Sequence, residues 1–380
     1  MAGQAVQVFG DFPSDGSGAS GGKKIQYSGE RYEMTDMLHL AIEHGASDLH
    51  LAVGRPPIYR IDGVLLDVDG PVLTGQETRR LVYGILGDMQ KQKFEEVKDL
   101  DFSLSIANMH RFRVNVHMQR NTVAAAARVI PAEIRNFRDL SLPVDVMETL
   151  SRRPSGFVLI TGPTGSGKST TLAACVDLIN SEKSCHIITV EDPIEYLHQH
   201  KMALIEQREI GQDTDTFAHA LKYALRQDPD VLLIGEMRDL ETISAAITAA
   251  ETGHLVFSTL HTANAVQTVD RIIDVFPPHQ QEQIRIQLAT VLEGVLSQKL
   301  LPGVQGGREI AMEILLATDA VRNQIREGQT HQIATTIEAA GRLGMLTMDR
   351  SLIDLCNARK ITKETALSHA SKPEEVARHI

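Results

Sequence analysis

The spacing of hydrophobic positions changes character along this chain, and the changes divide it into two kinds of structure. Met34, Met37, Leu38, Ala41 and Ile42 recur at helical spacing, and Gly45 follows as a stop, so a helix is predicted there. Residues 58–61 and 64–68 flank Asp62-Gly63, a hairpin signal. Residues 102–106 and 112–118 alternate as half-buried strands, while 76–86 and 89–97 carry a helical pattern. These elements predict a small α+β domain over 32–130. Pro131, Pro143 and Pro154 punctuate the next stretch, and 131–145 reads as a linker.

From residue 155 onward, short apolar runs at 157–160, 187–190, 231–234, 255–259 and 309–315 alternate with helical segments. That order predicts a parallel sheet wrapped by helices. Ile284, Leu288, Val291, Leu292 and Val295 form a stripe read as one helix, with further helices near 319–327, 332–340 and 347–358. Residues 1–31 hold Gly10, Gly16, Gly18, Gly21, Gly22 and Gly29 with little apolar pattern, and are expected to be a flexible tail.

Composition narrows the function. At 380 residues, 42% hydrophobic and 23% charged, the chain suits a soluble protein of two or three domains. Its apolar runs are too short to span a bilayer, and no secretory leader is recognisable, so a cytoplasmic location is expected. Cys175, Cys185 and Cys356 have no zinc or disulfide spacing. A net charge of −11, no tryptophan and 4% aromatics argue against a nucleic-acid partner.

The chemistry is concentrated in the second half. Gly162-Pro-Thr-Gly-Ser-Gly-Lys-Ser169 fits G-x-x-x-x-G-K-[ST] and lies between a predicted strand and a helix. In that setting Gly162, Pro163, Thr164, Gly165, Ser166, Gly167, Lys168, Ser169 and Thr170 would wrap the phosphates of ATP. Lys168 would reach the β- and γ-phosphates, and Ser169 would ligate Mg2+. Two predicted strands end in acid: one at Glu191-Asp192-Pro-Ile-Glu195, the other at Gly235-Glu236. Carboxylates there can hold Mg2+ through water and orient the water that attacks the γ-phosphate; Glu236 and Glu195 are the candidates. His254 and His261 bracket one strand, with Thr259 and Thr262 as further candidates for sensing the γ-phosphate. Arg111 and Arg113 share one face of an alternating strand, and Arg120 and Arg128 come after them. Spacing alone fits either a solvated basic face or arginines that reach a neighbouring subunit's nucleotide.

Taken together, Ala46-Ser-Asp-Leu-His-Leu51, Arg111-Phe-Arg-Val-Asn115, Gly162–Thr171, Val190–Glu195, Gln207–Gly211, Leu225–Asp230, Gly235–Asp239 and Gly253–Thr262 resemble the secretion ATPases, nearest the type IV pilus retraction ATPases. The resemblance runs from about Met34 to Leu367. It implies a PAS-like N-terminal domain and a RecA-like ATPase domain with a helical C-terminal end over 146–380. It also implies a homohexamer, peripheral association with the inner membrane through a pilus platform protein, and a possible paralogous retraction ATPase. On the matching positions it casts Glu195 as the acidic-box residue and Glu236 as the catalytic glutamate. His254 and His261 match the histidine pair, Arg113 and Arg128 the nucleotide-directed arginines. Ala320-Val-Arg-Asn323 matches the retraction motif, and the four-cysteine zinc element usual in assembly ATPases is missing. The glycine-rich segment before residue 30 departs from typical members. A ring translocase of nucleic acid, an accessory paralogue and a slow ATP-dependent regulator are the alternatives.

Overall fold

The chain folds as two units: one ends at Leu104 and resumes over Phe112–Val129, the other is formed by Ser105–Arg111 and Ile130–Ile380. The computed structural model describes residues 24–27, 29–61, 63–106, 110–130 and 133–380. Most of the tail read over 1–31, Asp62 of the hairpin turn and the first two linker positions lie outside the described residues.

The first unit runs β1 (Ile25–Gln26), α1 (Met34–Glu43), β2 (Asp48–Leu51), β3 (Ile58–Ile61), β4 (Val64–Asp69), α2 (Gly75–Tyr83), α3 (Asp88–Val97), β5 (Asp99–Ile106), β6 (His110–Gln119) and β7 (Thr122–Ile130). Its sheet has the order β1-β4-β3-β2-β7-β6-β5. Met34, Met37, Leu38 and Ala41 are the buried stripe of α1. Gly45 takes the left-handed conformation (φ +62°) that lets the Ala46 N–H return to the Ala41 carbonyl at 2.8 Å, closing the helix. On β6, Phe112, Val114 and Val116 are fully buried while Arg113 between them is exposed. Three strands of this unit escape a reading by alternation. β1 is two residues long and pairs with β4 within the stretch expected to be a flexible tail. β2 is only four residues long, and β7 is an alanine-rich run whose Ala124, Ala125 and Ala127 are buried without the β-branched signature of a strand.

The second unit opens with α4 (Val144–Ser151), β8 (Gly156–Thr161), α5 (Lys168–Glu182), β9 (His186–Glu191), β10 (Leu204–Glu209) and α6 (Phe217–Ala224). It continues with β11 (Val231–Ile234), α7 (Leu240–Glu251), β12 (Leu255–Leu260), α8 (Ala265–Asp274), α9 (Pro278–Val291), β13 (Leu292–Pro302) and β14 (Arg308–Leu316). Helices α10 (Asp319–Arg326), α11 (Ile333–Ala339), α12 (Met348–Asn357), α13 (Lys363–His369) and α14 (Pro373–Ala377) end the chain. The sheet order is β10-β9-β11-β12-β8-β13-β14, parallel except for the last pair. Every residue of β8, β11 and β12 is buried, as expected of strands covered on both faces.

The stripe from Ile284 to Val295 is not one helix. α9 ends at Val291, and Leu292 is already extended (φ −62°, ψ 129°), so Leu292 and Val295 belong to β13. The helical and strand periods happen to coincide across that junction, and β13 is buried along most of its length, which erases its own alternation. Gly294 sits where the register against β8 shifts; a Cβ there would meet the Leu150 side chain and the Leu315 carbonyl at 3.2 Å. The sheet is therefore mixed rather than wholly parallel, with β14 antiparallel at its edge.

Phe257 lies fully buried at the centre of this sheet, between Val158 and Leu233 in register. Phe257→Ala should destabilise the protein by about 3–5 kcal/mol, read from urea unfolding; a change within roughly 1 kcal/mol would place the core elsewhere.

Candidate functional site

Parallel strands send all their C-terminal ends to one edge of a sheet, and that edge is where open α/β sheets receive ligands. Here β8 runs into the glycine-rich loop, β9 into Glu191–Glu195, β11 into Gly235-Glu236 and β12 into His261. Because β9, β11, β12 and β8 are consecutive in the sheet, residues distant in sequence are brought onto one rim.

The loop between β8 and α5 is tightly determined. Gly162 has φ +140°, and a Cβ there would lie 2.3 Å from the Gln298 carbonyl oxygen. Gly167 caps α5 in the left-handed conformation (φ +88°). Pro163, Thr164 and Gly165 are exposed at the tip, Ser169 and Thr170 half-buried at the base. Lys168 is only 9% exposed; its ammonium donates to the Gly162 and Pro163 carbonyls at 2.9 and 3.1 Å. Burial pulls the Lys168 pKa down, while the carboxylates of Glu195 and Glu236 pull it up without fully compensating. The Ser166 hydroxyl is buried within the loop and has no hydrogen-bond partner. A helix N-terminus, a cramped glycine turn, an orphaned hydroxyl and a buried ammonium together fit an oxyanion such as a phosphate chain.

Around the loop stand the acids. Glu236 is paired with Arg238 at 2.5 Å and lies 3.2 Å from His261 Nε2. Glu195 is exposed on the turn after β9, following a cis Asp192-Pro193 bond. Glu191 accepts from Thr189 Oγ1 at 2.6 Å and from Gln207 Nε2 at 3.2 Å. Burial pushes the Glu191 carboxyl up to about 7; the Thr189 and Gln207 hydrogen bonds offset part of that rise. Among the described residues, no group of three or more His, Cys, Asp or Glu could hold a metal unaided. A cation at this rim would need the Ser169 hydroxyl and ligand oxygens as well, which is what a Mg2+–phosphate complex supplies.

Not every expected residue reaches this rim. His254 precedes β12, so it lies at the opposite end of the strand from His261. Its Nδ1 is 2.8 Å from the Ala249 carbonyl and 3.1 Å from Thr252 Oγ1, which ties it to the last turn of α7. Thr259 spends its hydroxyl on the Gly235 carbonyl at 2.6 Å, and Thr262 is paired with Thr268 at 2.7 Å. Both threonines brace the loops that carry Glu236 and His261. Arg113 and Arg128 belong to the first unit. There Arg128 Nε donates to Asp48 Oδ1 at 2.9 Å from an otherwise exposed side chain. Burial opposes the charge of Asp48, but hydrogen bonds from Ser47 and Arg128 hold its carboxyl below the usual range.

Several supporting residues carry no mark in the sequence. Gln298 on β13, almost wholly buried, donates to the Ser166 carbonyl at 2.8 Å and accepts from Thr171 Oγ1 at 3.1 Å, splinting both ends of the loop. Ser297 and Thr161 share a hydrogen bond of 2.8 Å beside it. Tyr196 reaches Thr170, and Gln207 holds the acidic turn. Their partners lie 11 to 136 residues away, so no local pattern reveals them.

Residues 30–368 match the family described as type II/IV secretion system protein. The chain is 46% identical over 342 residues to the type IV pilus retraction ATPase PilT of Pseudomonas aeruginosa, covering 90% of this chain and 99% of that protein. It is 45% identical over 322 residues to a twitching motility protein of Neisseria gonorrhoeae, covering 84% of this chain and 86% of the other. A crystal structure of the pilus retraction motor PilT with bound ADP superposes with a TM-score of 0.86 at 48% identity, over 92% of this chain and 100% of that one. Among the described residues, no helix is long and apolar enough to cross a membrane.

The raised pKa of Glu191 has a pH signature. A carboxyl raised from the ordinary 4.5 to about 7 contributes stability that is complete below pH 4.5 and is lost as pH rises to about 7. Glu191→Gln keeps acceptors for Thr189 and Gln207 but does not titrate. Its melting temperature should therefore gain on the wild type between roughly pH 5 and pH 8, read by thermal unfolding at several pH values. A difference constant with pH would contradict the shift.

Proposed function

The chain belongs to the type II/IV secretion system protein family, and we propose that it is a hexameric ATPase motor that powers type IV pilus retraction. The observation that carries this reading is the meeting of the glycine-rich loop, Lys168, Glu195 and Glu236 at one sheet edge, in a chain that matches retraction ATPases almost end to end.

In this reading the residues from Gly162 to Thr170 cradle the phosphates through backbone N–H groups, and Lys168 neutralises the β- and γ-phosphates. Mg2+, held by Ser169 and, partly through water, by Glu195 and Glu236, would neutralise charge developing on the phosphate oxygens. Glu236 orients the attacking water and accepts its proton, with Glu195 assisting. The hydrogen bond to His261 and the pair with Arg238 keep the Glu236 carboxylate turned to a fixed position. His254 acts indirectly, by holding the start of β12 against α7. Arg113 and Arg128 are offered to the triphosphate of a neighbouring subunit, where transition-state charge neutralisation is worth about 10³–10⁵ in rate.

Each cycle of binding and release would change how neighbouring subunits pack, and the ring would turn an inner-membrane platform protein so that pilin leaves the fibre. The protein would then work in the cytoplasm, held at the membrane by the pilus machinery, with a paralogous retraction ATPase as a possible second partner. The net charge of −11 supports a protein partner over nucleic acid.

Glu236→Gln preserves shape and hydrogen bonding but cannot take a proton. It should reduce kcat by about 10²–10⁴ while leaving ATP affinity within a few-fold of wild type, in steady-state ATPase and nucleotide-binding assays. A wild-type turnover rate would remove Glu236 from the chemistry.

A further inference from the structure

The residue after Glu195 joins two parts of the site that the backbone leaves unconnected. Tyr196 places its hydroxyl 2.8 Å from Thr170 Oγ1, on the first turn of α5 and one position beyond Ser169. The chain beyond the turn that bears both acids is held from the far end of α5, where Asn180 Nδ2 donates to the Gln199 carbonyl at 2.7 Å and Asn180 Oδ1 accepts from the Lys201 N–H at 3.1 Å. The turn itself is also fastened from β10. Gln207 donates to the Tyr196 carbonyl at 2.8 Å and to Glu191 at 3.2 Å, and accepts from the His198 N–H at 2.8 Å. Glu209 Oε2 accepts from the Ile194 N–H at 3.1 Å. These bonds fix the turn's main chain to the sheet. They do not fix its distance from the phosphate loop.

We propose that Tyr196 is a positioning residue of the hydrolysis step, its hydrogen bond to Thr170 setting the Glu195 carboxylate relative to the phosphate loop. The inference rests on the reading of Glu195 as a carboxylate that assists hydrolysis. Glu195 is exposed, so packing does not hold its side chain; its place depends on the main chain beneath it. Lys168 already senses the Glu195 charge, so a shift of the turn changes the field at the loop. Loss of one hydrogen bond leaves the half-buried Tyr196 ring in place, and the turn gains freedom along the direction that the bond controlled.

The test is a double-mutant cycle on the full-length protein, with steady-state ATPase rates and nucleotide affinity measured for each variant. Tyr196→Phe and Thr170→Val each remove one end of the bond without changing side-chain shape. Each should lower kcat about three- to tenfold with KM within about twofold, because one neutral hydrogen bond of orientation is lost. The double variant should be no slower than either single one, and Thr170→Ser should restore most of the rate. Additive losses, a rise in KM at constant kcat, or no loss at all would each overturn the proposal. Glu195→Ala is run alongside. If it turns over at the wild-type rate, the reading of Glu195 fails and the proposal fails with it. If it is slow while Tyr196→Phe and Thr170→Val are not, the proposal alone fails.

Discussion

A lysine ammonium taken out of water is the constraint around which the second unit is arranged. Lys168 is almost fully buried against two carbonyls of its own loop, and a cation in that position is unfavourable without compensation. Burial lowers its pKa, and the carboxylates of Glu195 and Glu236 work in the opposite direction. Those two acids follow different strands, Glu195 after β9 and Glu236 after β11, so the compensation depends on β9, β11 and β8 lying in the observed order. The same arrangement keeps the ammonium next to the N-terminus of α5, a pairing suited to a ligand that carries several negative charges.

A site of this kind needs a stiff floor, and β13 provides it. Its Gln298 carbonyl occupies the space that any side chain at position 162 would need, and its amide spans from Ser166 to Thr171. Ser297 locks the adjacent strand through Thr161. The hydroxyls of Thr259 and Thr262 perform similar service on the other side, where they fasten the loops after β11 and β12. The polar groups buried beneath the rim are therefore mostly paired with one another, and the charged ones are left to face the ligand.

How much could be read from residues alone depends on how local each feature is. The phosphate loop was legible because its glycines, Lys168 and Ser169 act through their own backbone and the helix that comes next. The acids at Glu191, Glu195 and Glu236 were legible because an apolar run that ends in carboxylate is the mark of a buried strand reaching a rim. β13 was not, since Leu292 and Val295 continue a helical stripe by coincidence and the strand has no exposed face to reveal its period. The pairing of His254 with His261 needed geometry: the six extended residues of β12 separate them by about 20 Å, so two histidines that bracket a strand cannot share one end of it. Gln298 and Tyr196 act on partners far along the chain, and nothing near them signals it.

The central claim, that Lys168 and the surrounding acids serve one bound triphosphate, is tested most directly by equilibrium binding of Mg2+–ATP to Glu236→Gln and to the same variant carrying Lys168→Ala. The account predicts tight binding to the first and a loss of about 100-fold or more in the second, since charge-assisted contacts to phosphate are removed with the ammonium. Equal affinities would contradict it.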